Sequence, residues 1–158
     1  ELHILHPGMA AIGNILNISR RYGVKPSRFK WLPKLSPSEH LARLSELDLV
    51  LDPWPYGGHT TTTDALAAGV PVLALEGSNF AGRVSGGLLI AAGLRSLVAP
   101  TVQDYARMAC ALNEHRAQMD QIREFMANTL DGSRLFDSVG RTRHLETLIE
   151  EAHRNASC

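Results

Sequence analysis

Between Asp52 and Asp64 the chain reads DPWPYGGHTTTTD, and these residue types suit the capture of an anion. Gly57-Gly58 lets the backbone turn sharply and come close to a bound group. His59, Thr60 and Thr61 then stand at a helix entrance, where the first N–H groups lack intrahelical partners and the helix dipole is positive. The threonine hydroxyls add donors where a phosphate oxygen would lie. Asp64, one turn further on, can accept from a sugar hydroxyl. Such an entrance suits a diphosphate. The same residues also describe a threonine N-cap on a structural helix with a surface histidine, and residue types alone leave both readings open. The glycines follow neither the Walker pattern nor Gly-x-Gly-x-x-Gly.

A second grouping is His40 with Arg43, three residues apart and so on one helix face. An imidazole beside a guanidinium suits a nucleobase and its phosphates, and equally suits a solvated surface. The remaining histidines form no His-Glu-x-x-His unit, and no Cys-x-x-Cys is present, so no zinc site is expected. A Gly-x-Ser-x-Gly elbow is also missing. No Asp-x-Asp pair is available to hold manganese or magnesium on a diphosphate, so no metal is expected. His3 and His6 fall on opposite faces of a strand and fit its end.

The elements that must position these residues alternate along the chain. Leu2–Leu5, Arg28–Leu32, Asp48–Asp52, Val70–Leu75 and Ser96–Ala99 read as strands. Met9 to Tyr22 reads as a helix with Ile12, Ile15, Leu16 and Ile18 on one face, ended by Gly23. Ser36-Pro37-Ser38-Glu39 opens another as a capping box with proline at its first position. Arg83 to Ala92 is helical and rich in small residues, which fits close packing of helix on sheet. From Thr101 onward the pattern is helical, with stripes at Tyr105, Met108, Ala109 and Leu112, at Ile122, Phe125 and Met126, and at Leu145, Leu148, Ile149 and Ala152. Strands apolar on both faces, alternating with helices, predict a Rossmann-like parallel sheet covered on both sides. In such folds ligands bind where strands lead into helices, and DPWPYGGHTTTT is such a loop. The expected unit is one α/β domain over residues 1–158, helical from residue 101 to 158.

Bulk properties narrow the function classes. The chain has 158 residues, 44% hydrophobic and 20% charged, enough for one domain with a core. Lysine plus arginine and aspartate plus glutamate are 16 each, so no general attraction to nucleic acid or an anionic membrane is expected. No apolar run reaches membrane-spanning length. Cys110 and Cys158 stand far apart and make no disulfide framework, which fits a reducing cytoplasm. Glu1 lies directly before a strand without a lead-in, as in a piece of a longer protein.

Residues 37–94, PSEHLARLSELDLVLDPWPYGGHTTTTDALAAGVPVLALEGSNFAGRVSGGLLIAAGL, resemble the donor-binding lobe of the O-linked N-acetylglucosamine transferases. The shared features are Glu-His, a Leu-Asp strand, Gly-His-Thr-Thr, a step to Asp64, Ala-Gly-x-Pro-Val, and a segment matched by Gly77, Ala81, Arg83 and Val84. The ending SRLFDSVGRTRHLETLIEEA is similar to that family's closing helix. The resemblance implies a GT-B glycosyltransferase whose parent carries tetratricopeptide repeats. It assigns Thr60 and Thr61, with His59 and Gly58, to the diphosphate of UDP, and Asp64 to the ribose. His40 would flank the uracil, Leu35 would read the base edge through its backbone, and Arg43 matches an arginine on the same helix. Thr62 and Thr63 fall at variable positions. Some members carry lysine where Pro37 stands, and here only Lys34 is near in sequence.

The implied activity is inverting, metal-free transfer of N-acetylglucosamine from UDP to serine or threonine of a protein. Alternatives are a relative using UDP-glucose or another acceptor, a UDP-sugar epimerase, and a non-catalytic nucleotide-binding module. By the same resemblance, the lobe's usual first strand, central in its sheet, and the acceptor-binding lobe are not in this stretch. No catalytic base is therefore expected here, and the acceptor protein would bind through the missing lobe. A sheet without its middle strand leaves room for a strand-exchanged dimer.

Overall fold

In the computed structural model, which describes residues 1–156, α and β elements alternate as the periodicity requires. The order is β1 (Leu2–Leu5), α1 (Met9–Arg21), β2 (Phe29–Leu32), α2 (Pro37–Leu44), β3 (Val50–Leu51), α3 (Thr60–Ala67), β4 (Val72–Leu75), α4 (Phe80–Ala91), β5 (Val98–Ala99), α5 (Val102–Glu114), α6 (Arg116–Thr129) and α7 (Ser138–Ala156). Short 3₁₀ turns at Pro26–Arg28 and Arg95–Leu97 lead into β2 and β5.

Every strand pair is parallel, as expected, but the pairing falls into two sheets: β1 with β2, and β3-β4-β5. Leu2 faces Phe29 in the first, while Val50 faces Val72 and Ala74 faces Val98 in the second. The chain correspondingly divides into two compact units, Glu1–His40 and Leu41–Cys158.

In the first unit α1 connects the two parallel strands. Ile12 and Ser19 are its buried residues, with Ile15 and Leu16 partly buried between them. Ile18 was expected on this face but is 55% exposed. The helical period explains the exchange, since positions 12, 15, 16 and 19 form the stripe and 18 turns away. Ser19 is accommodated because its hydroxyl donates to the Leu16 carbonyl at 3.0 Å.

The second unit is built around β4, all four of whose residues are buried. Ala65 and Leu66 of α3, Leu89 of α4, Leu112 of α5 and Met119 and Met126 of α6 close over it. Truncating a fully buried leucine such as Leu73 to alanine costs about 2–5 kcal/mol, so this strand anchors the unit. Small residues let α4 approach: a Cβ on the buried Gly86 would touch Val98 at 3.4 Å. A Cβ on Gly77 would be driven into the backbone of Gly82. On α6 the buried positions are Met119 and Met126, followed by Leu130, while Phe125 of the expected stripe is 42% exposed. None of the α7 residues is buried.

Local signals set the boundaries. At α2 the glutamate half of the capping box forms, with the Ser36 N–H donating to Glu39 Oε2 at 3.0 Å, while the Ser36 hydroxyl donates to the same oxygen at 2.5 Å. Those two bonds, led by the hydroxyl, hold the Glu39 carboxyl below its ordinary range. Asn79 caps α4 by accepting the Gly82 N–H at 2.8 Å. Thr101 caps α5 by accepting the Asp104 N–H at 3.1 Å. Gly69, at φ +74°, ends α3 in the left-handed conformation that glycine adopts without strain.

Candidate functional site

The loop from β3 to α3 brings Gly58, His59, Thr60 and Thr61 to one place, with Asp64 on the next turn of α3. Two prolines and a cis Trp54–Pro55 bond carry the chain away from β3. The two glycine N–H groups are then pinned from different directions. Gly57 donates to the Ala81 carbonyl of α4 at 3.3 Å. Gly58 donates to Asp52 Oδ1 at 2.6 Å. Glycine is required here because a Cβ at Gly58 would lie 2.5 Å from Thr62 Oγ1 and 2.7 Å from Thr61 Oγ1.

No side chain caps the start of α3 among the described residues. The N–H groups of its first turn have no intrahelical acceptor either, by the geometry of any α-helix. Thr60 and Thr61 are exposed. Thr62 is 2% exposed, and its hydroxyl meets that of Ser85 on α4 at 3.0 Å. Thr63 turns its hydroxyl back to the His59 carbonyl at 3.3 Å. The four threonines thus divide: two face solvent at the helix entrance, one ties α3 to α4, and one bonds within its own turn.

His59 is held by aromatic contacts. Its ring stacks on Tyr56 with centroids 5.4 Å apart and 10° between planes, and Phe80 meets it edge-on at 6.3 Å. The Nε2 atom is buried without a hydrogen-bond partner among the described residues. A buried polar atom of this kind carries a desolvation cost that a bound group could offset.

Beneath the turn sits Asp52, 5% exposed. Desolvation pushes its carboxyl above the ordinary carboxylate range, against the opposing pull of the Gly58 N–H, the Ser85 hydroxyl and His59. Tyr105 of α5 donates its hydroxyl to the Asp52 carbonyl at 2.9 Å. Burial, and secondarily the charge of Asp52, push the Tyr105 phenol up to about 12. Asp52, Ser85, Tyr56, Phe80 and Tyr105 were not singled out from the sequence as site residues. The available signal for Asp52 was an aspartate ending a strand just ahead of a Gly-Gly turn.

Leu35, His40 and Arg43 lie on a different stretch, at and before α2. All three are half-buried, with His40 at the end of the first unit and Arg43 in the second. His40 and Arg43 share one face of α2, as their spacing requires.

Known proteins carry the same arrangement of sequence and fold. Residues 2–145 match the description of glycosyl transferase family 41. The chain belongs to that family. It is 32% identical over 140 residues to a tomato (Solanum lycopersicum) protein named probable UDP-N-acetylglucosamine–peptide N-acetylglucosaminyltransferase SPINDLY, covering 88% of this chain and 15% of that protein. It is also 32% identical over 126 residues to the Arabidopsis thaliana probable transferase of the same activity named SEC, covering 78% of this chain and 13% of that one. A solved O-GlcNAc transferase variant from Thermobaculum terrenum superposes with TM-score 0.85 at 31% identity, over 94% of this chain and 29% of that one. The chain therefore spans a minor part of the length of its relatives. As a glycosyl transferase family 41 chain it has the α/β architecture of a GT-B lobe, with parallel sheets flanked by helices. Among the described residues, no helix is long and apolar enough to cross a membrane.

Proposed function

We propose that this chain is the UDP-sugar-binding part of a protein O-linked N-acetylglucosaminyltransferase, whose parent moves N-acetylglucosamine from UDP to serine or threonine of an acceptor protein. The observation that carries the reading is the uncapped entrance of α3, with exposed Thr60 and Thr61 beside the unpartnered His59 Nε2. The names of the plant relatives and the bacterial structure support the donor and the acceptor class.

In this reading the diphosphate lies against the first-turn N–H groups of α3 and the hydroxyls of Thr60 and Thr61. Gly58 contributes close approach, since its N–H is already given to Asp52. Asp64 accepts from the ribose, and Leu35, His40 and Arg43 serve the uridine. During transfer the acceptor oxygen bonds to the sugar's anomeric carbon as the bond to UDP breaks, and negative charge grows on the leaving diphosphate. Fixed N–H dipoles and hydroxyls aimed at that charge stabilise it without reorganising. They act in place of a metal ion. The group that takes the acceptor's proton and the surface that holds the acceptor come from elsewhere in the parent. A cytoplasmic setting goes with this reading, supported by the exposed thiol of Cys110.

Incubating the full-length protein with UDP-N-acetylglucosamine and a serine/threonine peptide array, in excess chelator, tests the reading. The expected result is modified peptides with release of UDP. No transfer to any peptide contradicts the activity, and transfer that appears only on adding manganese contradicts the metal-free mechanism.

A further inference from the structure

The Asp52 carboxylate lies flat beneath both glycines of the site loop. A Cβ at Gly57 would come 3.0 Å from Asp52 Oδ2, and one at Gly58 would come 3.0 Å from Oδ1. The shape of the turn and the place of the carboxylate therefore determine each other. Oδ1 also accepts the Gly58 N–H at 2.6 Å, a short, charge-assisted contact.

Asp52 is itself fixed. Tyr105 donates to its main-chain carbonyl at 2.9 Å, and the nearby Ser85 hydroxyl pulls its carboxyl down against the rise from burial. Each hydroxyl has one proton to give. The Thr62 and Ser85 hydroxyls share one hydrogen bond at 3.0 Å, and either can be its donor. Gly58, on the N-terminal side of this contact in sequence, donates to the Asp52 carboxylate. Thr62 is in α3 and Gly58 is in the loop just before it, so both bonds border the helix entrance. Keeping an acidic group 5% exposed is costly unless it is hydrogen-bonded, and its bond from the Gly58 N–H ties it to this turn.

We infer that Asp52 is a positioning residue, which holds the Gly57–Gly58 turn in the shape that presents the first turn of α3 to a diphosphate, with Tyr105 holding Asp52 in turn. The identity of the ligand rests on the functional reading above. The geometry does not.

The test uses the full-length protein with Asp52→Asn, Asp52→Ala and Tyr105→Phe. Asparagine keeps an acceptor for the Gly58 N–H, so UDP affinity by calorimetry stays within about threefold of wild type, whereas alanine leaves that amide without its partner and weakens UDP by about tenfold or more. Tyr105→Phe falls between. A folded Asp52→Ala variant that melts lower yet binds UDP like wild type overturns the inference, because a merely structural carboxylate would behave that way.

Selective ¹⁵N-glycine labelling gives a readout independent of ligand and of the alanine variant's folding. The Gly58 amide resonance should titrate with Asp52 in wild type and lose that titration in Asp52→Asn. A Gly58 amide that ignores the state of Asp52 also overturns the inference. If the amide titrates but wild type fails to bind UDP, the positioning role stands and the diphosphate reading falls.

Discussion

The hydroxyls of Thr62 and Ser85 meet at 3.0 Å in a place closed to solvent, joining the helix that opens the site to the helix packed beside it. Removing one partner leaves a buried polar atom short of a bond, which costs about 1–3 kcal/mol. Thr62→Val and Ser85→Ala should each lower stability by that order. The double variant should lose less than the two singles summed, because the second change removes a group already stranded. Denaturant midpoints of the four proteins measure this coupling, and strict additivity would mean the contact contributes nothing of its own.

Gly58→Ala should damage the site more than a loop substitution normally does. The new methyl would press on the hydroxyls of Thr61 and Thr62 and on Asp52 at once. Overpacking of this kind costs about 1–3 kcal/mol. Because Thr61 is one of the displaced groups, UDP affinity should fall with stability, and melting curves recorded with and without UDP report both. A Gly58→Ala protein with normal stability and normal UDP response would show that the turn has slack.

The raised Asp52 carboxyl gives a pH signature. Desolvation is its main cause, and the folded state consequently binds the proton more tightly than the unfolded state does. That contribution to stability is complete below the ordinary value of 3.8 and is lost as pH rises through the folded value. The stability of wild type minus that of Asp52→Asn should therefore decline with rising pH across this window. Asp48, Asp104 and Glu39, which are shifted downward, have the opposite sign but cancel in the difference. Parallel profiles would mean Asp52 titrates alike in both states.

Much of this could be read from the sequence because local signals were strong. The short apolar runs placed β1 to the residue and β4 nearly so, and Ser36 and Glu39 bond at the start of α2 as their spacing predicted. Edges moved where backbone donors were lost. Pro71 has no N–H for a ladder, so β4 begins at Val72 rather than Val70. Pro26 fits the first position of a helical turn, so Arg28 closes a 3₁₀ turn and β2 begins at Phe29. The start of α4 at Phe80 rather than Arg83 was available in Asn79, a good N-cap that the small-residue pattern hid.

The Gly58–Thr61 stretch was legible as a strand-to-helix loop, since two glycines followed by hydroxyl residues mark a tight turn into a helix start. Its supports were not. That Asp52, Ser85 and Tyr105 meet depends on how α4 and α5 pack beside the loop, and no local period records such a meeting. Thr62 could not be told from Thr61 by type; only the turn of α3 sends one inward and leaves the other at the surface.

The central claim is that the entrance of α3 holds the diphosphate of the donor. The most direct measurement compares calorimetric affinities of UDP and UMP for the full-length wild type and for a Thr60→Ala, Thr61→Ala double variant. Both hydroxyls are exposed, so folding should change little. Wild type should prefer UDP over UMP, and the double variant should lose about 1–3 kcal/mol of UDP affinity with a much smaller loss for UMP. An unchanged UDP affinity, or an equal loss for both nucleotides, would contradict the claim and reduce the two threonines to the first residues of a structural helix.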